Sequence, residues 1–90
     1  MRIERILTIE NKLGLHARAA TQLVELANQF DAQVMLQKGD KEANANSVLG
    51  LMMLESHMGE QVTVVSEGPD AEAAMNAVEA LIAGKFNEEN

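Results

Sequence analysis

The spacing of apolar residues changes period along this chain, and each change marks an element. In residues 3–9, Ile3, Arg5, Leu7 and Ile9 fall on one side of an extended segment, which predicts a strand. Residues 11–14 then read as a loop. Over residues 17–30 the period lengthens: Ala20, Leu23, Val24, Ala27 and Phe30 recur at helical spacing, which predicts a helix facing a core and ended by Asp31. Residues 33–37 read as a short strand, Gly39-Asp40 as a turn, and residues 42–45 as the return strand of a hairpin. Asn46-Ser47 precedes the run VLGLMML, and both residue types cap helices well because a side-chain oxygen accepts an otherwise unpaired backbone N–H. A short helix is therefore predicted over residues 48–54. Gly59 breaks the chain before a strand over 61–66, with Val62 and Val64 facing one way. Gly68-Pro69-Asp70 is a second break, and Ala74, Val78, Leu81 and Ile82 form the apolar stripe of a last helix that ends near Gly84. Beyond Phe86 the tail is expected to fray.

The resulting order is β-α-β-β-α-β-α. Strands alternating with helices in a short chain predict an α/β two-layer sandwich, one sheet with helices over one face. The pattern leaves the order of the strands open. A length of 90 residues suits one domain, residues 1–90, with one core.

Composition narrows the function classes. No apolar run approaches the ~20 residues of a membrane helix. Glu4, Arg5 and Glu10 interrupt the N-terminal apolar residues, unlike a signal peptide. The chain has no cysteine, hence no disulfide framework. These features favour a cytoplasmic protein. The net charge of −7 opposes binding to nucleic acid, whose phosphates require clustered Lys and Arg, and it opposes anionic membrane surfaces. With no Trp or Tyr, platforms for stacking bases are missing too. The two histidines, His16 and His57, lack metal-ligand spacing, so no metal site is expected.

Candidate chemistry concentrates in residues 11–20, NKLGLHARAA, where a loop turns into a helix. The first N–H groups of a helix have no intrahelical partner and carry the positive end of its dipole, so such a place binds phosphate. A histidine there offers a nucleophilic nitrogen near pH 7. A positive environment favours the neutral ring before reaction and stabilises phosphoryl oxygens after it. Arg18 is placed to add a charge-assisted fork. Gly14 permits a backbone conformation closed to other residues. Gly14 and Ala17 are the candidate phosphate-binding loop positions around His16. Taken locally, His16 also reads as a helix cap, Arg18 as an exposed helix residue and Gly14 as a plain turn.

The segment GLHARAA resembles the active-site motif of the HPr family, the histidine phosphocarriers of the phosphotransferase system, written G-[LIM]-H-[AT]-R-P-A. NSVLGLMML resembles the family's second helix with its leading serine. FDAQVML and GEQVTVVSEGPDAEAAMNAVEAL follow in family order, so the resemblance spans nearly the whole chain. It implies a four-stranded antiparallel sheet with three helices on one face. His16 matches the histidine phosphorylated on Nδ1, Arg18 the arginine that assists the phosphoryl group, and Ser47 the serine that a dedicated kinase phosphorylates in some members. The N-cap reading of Ser47 is preferred. The implied donor is an enzyme I type protein charged by phosphoenolpyruvate, the acceptor an enzyme IIA type protein, and no cofactor is implied. Ala19 departs from the pattern, standing where the family carries proline. NKLG before the histidine, the text around Ser47, the ending GKFNEEN, and Glu25 in place of a frequent lysine resemble the nitrogen-related branch. The alternatives are a sugar-transport HPr and a regulatory module of the same fold that binds whatever its phosphorylation state.

A phosphoryl-transfer component is expected rather than a stand-alone turnover enzyme, because no second acid, base or metal constellation supports turnover. It is expected to act as a monomer forming transient complexes. Val48, Leu49, Met52 and Met53 span more of a short helix than one buried stripe hides, so some face solvent. The expected partner surface comprises Ala17, Thr21, Val48, Leu49 and Met52 beside His16, since exposed apolar groups, methionine above all, suit transient docking. His57 is expected to be a surface loop residue.

Overall fold

The structure is a computed structural model that describes residues 1–88. Four strands, β1 (Arg2–Thr8), β2 (Gln33–Lys38), β3 (Lys41–Asn44) and β4 (Gln61–Glu67), form one antiparallel sheet in the order β1-β4-β2-β3. The last strand in sequence thus lies between the first two. Three helices, α1 (Ala17–Ala27), α2 (Val48–Met52) and α3 (Ala71–Ala83), complete the architecture.

The two-residue period of the strands divides the sheet into a covered and an open face. One register row runs Arg5, Val64, Leu36, Ala43 across all four strands, and its last three members are buried. Helices cover this side: α3 packs on β1 and β4, α2 on β3, and α1 on both other helices. Arg5 is a charged residue on the covered side, and it is satisfied there by α3, donating to Asn76 at 2.9 Å and to Glu79 at 2.6 Å. On the open side, Ile6 is exposed, whereas Val65 is sheltered in the central strand between Glu4 and Met35 of its neighbours.

Both early helices end sooner than their apolar patterns predict. Helix α1 stops at Ala27. Gln29 N–H and Phe30 N–H reach only three residues back, to Leu26 and Ala27, so a tight turn rather than another helical turn brings Phe30 against the core. Helix α2 stops at Met52, and Leu54 enters the core from a similar turn. Hydrophobic periodicity survives such turns, which is why it overestimates the helix. The caps agree with expectation at α2, where Ser47 Oγ accepts the Gly50 N–H at 3.0 Å. At α3 the Asp70 carboxylate makes no cap bond and instead accepts the Asp31 N–H at 2.7 Å, tying this helix to the α1–β2 connection.

The tail differs most from expectation. After Gly84, Lys85, Phe86 and Asn87 all take left-handed φ, between 53° and 59°. Each such residue costs about 1–2 kcal/mol. The turn persists because it buries Phe86 to 1% exposure, which contributes about 1.5–3 kcal/mol, and because Glu88 beyond it is hydrogen-bonded. The chain does not fray at Phe86; it is held through Glu88. Glu89 and Asn90 lie outside the described residues.

Candidate functional site

His16 is the N-cap of α1, with extended backbone (φ −79°, ψ −179°). Its Nδ1 accepts the Arg18 N–H at 3.2 Å and lies 3.5 Å from the Ala19 nitrogen. These are two of the helix's unpaired first-turn donors. The first intrahelical bond, Ala20 N–H to the His16 carbonyl at 2.8 Å, comes immediately after them. The ring is therefore a cap and a candidate nucleophile through the same nitrogen.

The preceding loop fixes the ring's position. Gly14 has φ +67°, and a Cβ there would run into the Ser56 carbonyl oxygen and stand 3.1 Å from His57 Cα. Only glycine meets both demands. The Gly14 N–H is directed to the Asn11 carbonyl at 3.2 Å rather than toward the ring, so this glycine shapes the loop and leaves the amides of Arg18 and Ala19 facing Nδ1. Leu15 is buried and its N–H bonds to Ser56 O at 2.9 Å. Asn11, fully buried, closes the loop by donating from Nδ2 to Gly14 O at 2.7 Å.

On the ring's other side stands Glu88. Its Oε2 lies 3.3 Å from His16 Nε2 and accepts from Asn11 Nδ2 at 3.0 Å, while Oε1 accepts the Leu13 N–H at 3.2 Å. The bond from Asn11, then those from Leu13 and His16, hold this carboxyl below the ordinary carboxylate value, against the opposing effect of burial. Sequence reading missed Glu88 and Asn11. Glu88 is 72 positions from His16, in a tail that looks like a solvated terminus, and nothing local signals the contact. It also tempers the expectation of a wholly positive site, since one side of the ring faces helix N–H groups and the other a carboxylate.

Arg18 is exposed and shares a hollow of about 100 Å³ with Leu13, His16, Gln22, Phe86 and Glu88. Among the described residues no carboxylate lies within ion-pair distance of its guanidinium. A wider groove of about 440 Å³ flanks the ring on the other side, lined by Leu13, Leu15, His16, Met52, Glu55, Ser56 and His57. His57 is exposed, as expected, and it lines this groove beside His16. Of the expected partner surface, Ala17, Thr21, Leu49 and Met52 are exposed. Thr21 Oγ1 donates to Ala17 O at 2.8 Å. Val48 is half-buried against the core and offers only part of its side chain. Leu13, Met53 and Met58, all more than half exposed, add apolar surface that the expectation left out. Among the described residues no group of three His, Cys, Asp or Glu side chains could hold a metal ion, and no helix is long and apolar enough to cross a membrane.

Comparison with known proteins gives the family. Residues 3–84 match the family model described as the PTS HPr component phosphorylation site. A phosphocarrier protein NPr from Shewanella violacea is 54% identical, over 97% of this chain and 96% of its own. An NPr from Escherichia coli is 46% identical over 99% and 100%, and an HPr from Cupriavidus necator 45% over 96% and 97%. The crystal structure of HPr-C-His from Thermoanaerobacter tengcongensis superposes with a TM-score of 0.92 at 41% identity, over 98% of this chain and 99% of that one. With the fold, the motif and the relatives in agreement, the chain belongs to the HPr family, the histidine phosphocarriers of the phosphotransferase system, and lies on its NPr side.

Proposed function

We propose that His16 is the phosphoryl acceptor of this carrier, reacting through Nδ1, and that Arg18 and the first amides of α1 receive the phosphoryl oxygens. The observation that carries this reading is the Nδ1 atom facing the Arg18 N–H at 3.2 Å and the Ala19 nitrogen at 3.5 Å. A phosphoryl group bonded to Nδ1 comes between the ring and those amides, so the donors that cap the ring become donors to the phosphoryl oxygens. Negative charge at this end of an eleven-residue helix is favoured by its dipole, typically by about 0.3–1 kcal/mol. Arg18 supplies a planar fork for two further oxygens.

The donor in this reading is an enzyme I type protein charged by phosphoenolpyruvate, and the acceptor an enzyme IIA type protein, both of the nitrogen-related relay. The NPr relatives support that branch. Exposed Leu13 and Met52, which line the groove beside the ring, together with exposed Leu49 and Met53 on and just after α2, form the surface on which such partners dock in turn. Met adapts to more than one partner shape, and an acidic chain selects among donors through encounter electrostatics. The protein acts in the cytoplasm as a monomer that forms transient complexes. Ser47 is a structural cap in this reading.

The experiment is incubation with phosphoenolpyruvate and each enzyme I paralogue in turn, followed by intact mass measurement. Wild type is expected to gain one acid-labile, base-stable phosphoryl group, faster with the nitrogen-branch donor. His16→Ala is expected to gain none while keeping its fold. Uptake by that variant would overturn the role of His16. Faster uptake from the sugar-branch donor would instead favour the sugar-transport reading, to which the HPr relative at 45% identity lends support.

A further inference from the structure

We infer that Glu88 is a positioning residue for His16: it fixes the ring proton on Nε2, leaves the Nδ1 lone pair free to react, and keeps Nε2 protonated while the ring carries phosphate. The inference rests on phosphorylation at Nδ1 as proposed above.

The ring's two nitrogens face opposite chemistry. Nδ1 points at a backbone N–H of Arg18, which donates only, so a neutral ring carries no proton on Nδ1. Its proton is then on Nε2, 3.3 Å from the Glu88 carboxylate, which accepts only when ionised. Glu88 is itself held in place by Asn11 Nδ2 and the Leu13 N–H, and its side chain is only 13% exposed. The left-handed turn around buried Phe86 delivers it there. A tail residue with three separate hydrogen-bonding contacts to the active loop is a built arrangement, not a passing surface pair.

The consequence for the reaction follows from charge balance. The Nδ1 lone pair forms the N–P bond as the bond from phosphorus to the donor atom breaks, and that electron pair leaves with the donor. The Nε2 proton does not move. The ring is left cationic, and the Glu88 carboxylate offsets that cation. In the onward step the N–P bond breaks and its pair returns to Nδ1, so the ring leaves as neutral imidazole still protonated on Nε2. If Nε2 lost its proton in between, the leaving group would be imidazolate, a far poorer one. Glu88 therefore keeps the phosphorylated ring in its transferable form to higher pH. The other charged or titratable groups around the ring are Arg18 on α1 and Glu55 and His57 on the segment after α2. All three remain in the variants below.

The test uses the full chain as wild type, Glu88→Gln and Glu88→Ala. Before any phosphorylation, NMR of the imidazole nitrogens at neutral pH should find His16 of wild type protonated on Nε2 and bare on Nδ1. The Nε2–H signal should exchange faster with water in Glu88→Ala. A proton on Nδ1 in wild type would overturn the inference outright. After phosphorylation, phosphorus NMR follows spontaneous loss of the phosphoryl group from acid to mildly alkaline pH. The pH at which that rate falls to half is expected to lie about one unit lower in both variants, the effect of removing a neighbouring opposite charge. Glu88→Asp should recover part of the shift. A profile unchanged in Glu88→Gln and Glu88→Ala would overturn the inference. A wild type that takes up no phosphate at His16 would contradict the carrier reading instead, and the nitrogen spectra would still decide whether Glu88 holds Nε2.

Discussion

Gly14→Ala isolates the packing of the active loop from its backbone conformation. An L-residue at φ +67° costs about 1–2 kcal/mol relative to glycine. Alanine also reduces the entropy of the unfolded chain, which returns about 0.4–1 kcal/mol. The new Cβ collides with the Ser56 carbonyl, which is backbone and cannot swing aside. Relief requires the two segments to part, and the hydrogen bond from Leu15 N–H to Ser56 O, 2.9 Å long, breaks first, at about 1 kcal/mol. The net expectation is a destabilisation of about 2 kcal/mol, or a fall in Tm of about 8–16 °C for a domain of this size. Gly39→Ala is the control. Its φ of +62° is nearly the same, but nothing lies within 4 Å of a Cβ there. Thermal unfolding followed by circular dichroism should place Gly14→Ala at least about 1 kcal/mol below Gly39→Ala, with faster amide exchange at Leu15. Equal destabilisation of the two variants would refute the role given to the Ser56 carbonyl and reduce Gly14 to an ordinary turn glycine.

Leu49 is 69% exposed, so Leu49→Glu should change stability by less than about 0.5 kcal/mol while slowing phosphoryl uptake from enzyme I; unfolding by this change would show that the side chain belongs to the core. The Ala19 N–H makes no bond within the helical ladder, which begins at Ala20, and of the two amides facing Nδ1 it is the more distant, at 3.5 Å. Ala19→Pro should therefore raise stability by about 0.4–1 kcal/mol, and the nearer Arg18 N–H, at 3.2 Å, should keep transfer within a few-fold. A lower Tm would mean that the ring does not fit where Ala19 is wholly buried. The Glu88 carboxyl titrates below its ordinary value of 4.5, so the tail's contribution to stability is complete above that value and is lost as pH falls through the lower, folded value. The Leu13 amide shift, followed by NMR into acid, should move over that range and stay flat in Glu88→Gln.

Local chemistry is legible wherever neighbours in sequence decide it. The alternation in residues 3–9 and the helical spacing from Ala20 to Ala27 follow from one face being buried, and the structure keeps both. Ser47 caps α2 because its own side chain reaches an amide three residues on. The placing of His16 at a helix start is legible for the same reason. Phe30 and Leu54 mislead as helix ends, since a tight turn buries an apolar residue as well as a helix does.

The sequence by itself determined the order of the main elements, the placing of His16 at a helix start, and the likeness to the HPr family. Tertiary structure alone decided the strand order β1-β4-β2-β3, which depends on pairing between segments far apart. It also decided which apolar residues of α2 stay in solvent. The third decision was the ring's surroundings. Ser56 sets the limit on Gly14, and Glu88 reaches His16 from 72 positions away. Hydrogen bonds of that kind carry no periodicity and no local spacing. They exist because a left-handed turn, held by the burial of Phe86, brings a C-terminal carboxylate over an N-terminal loop.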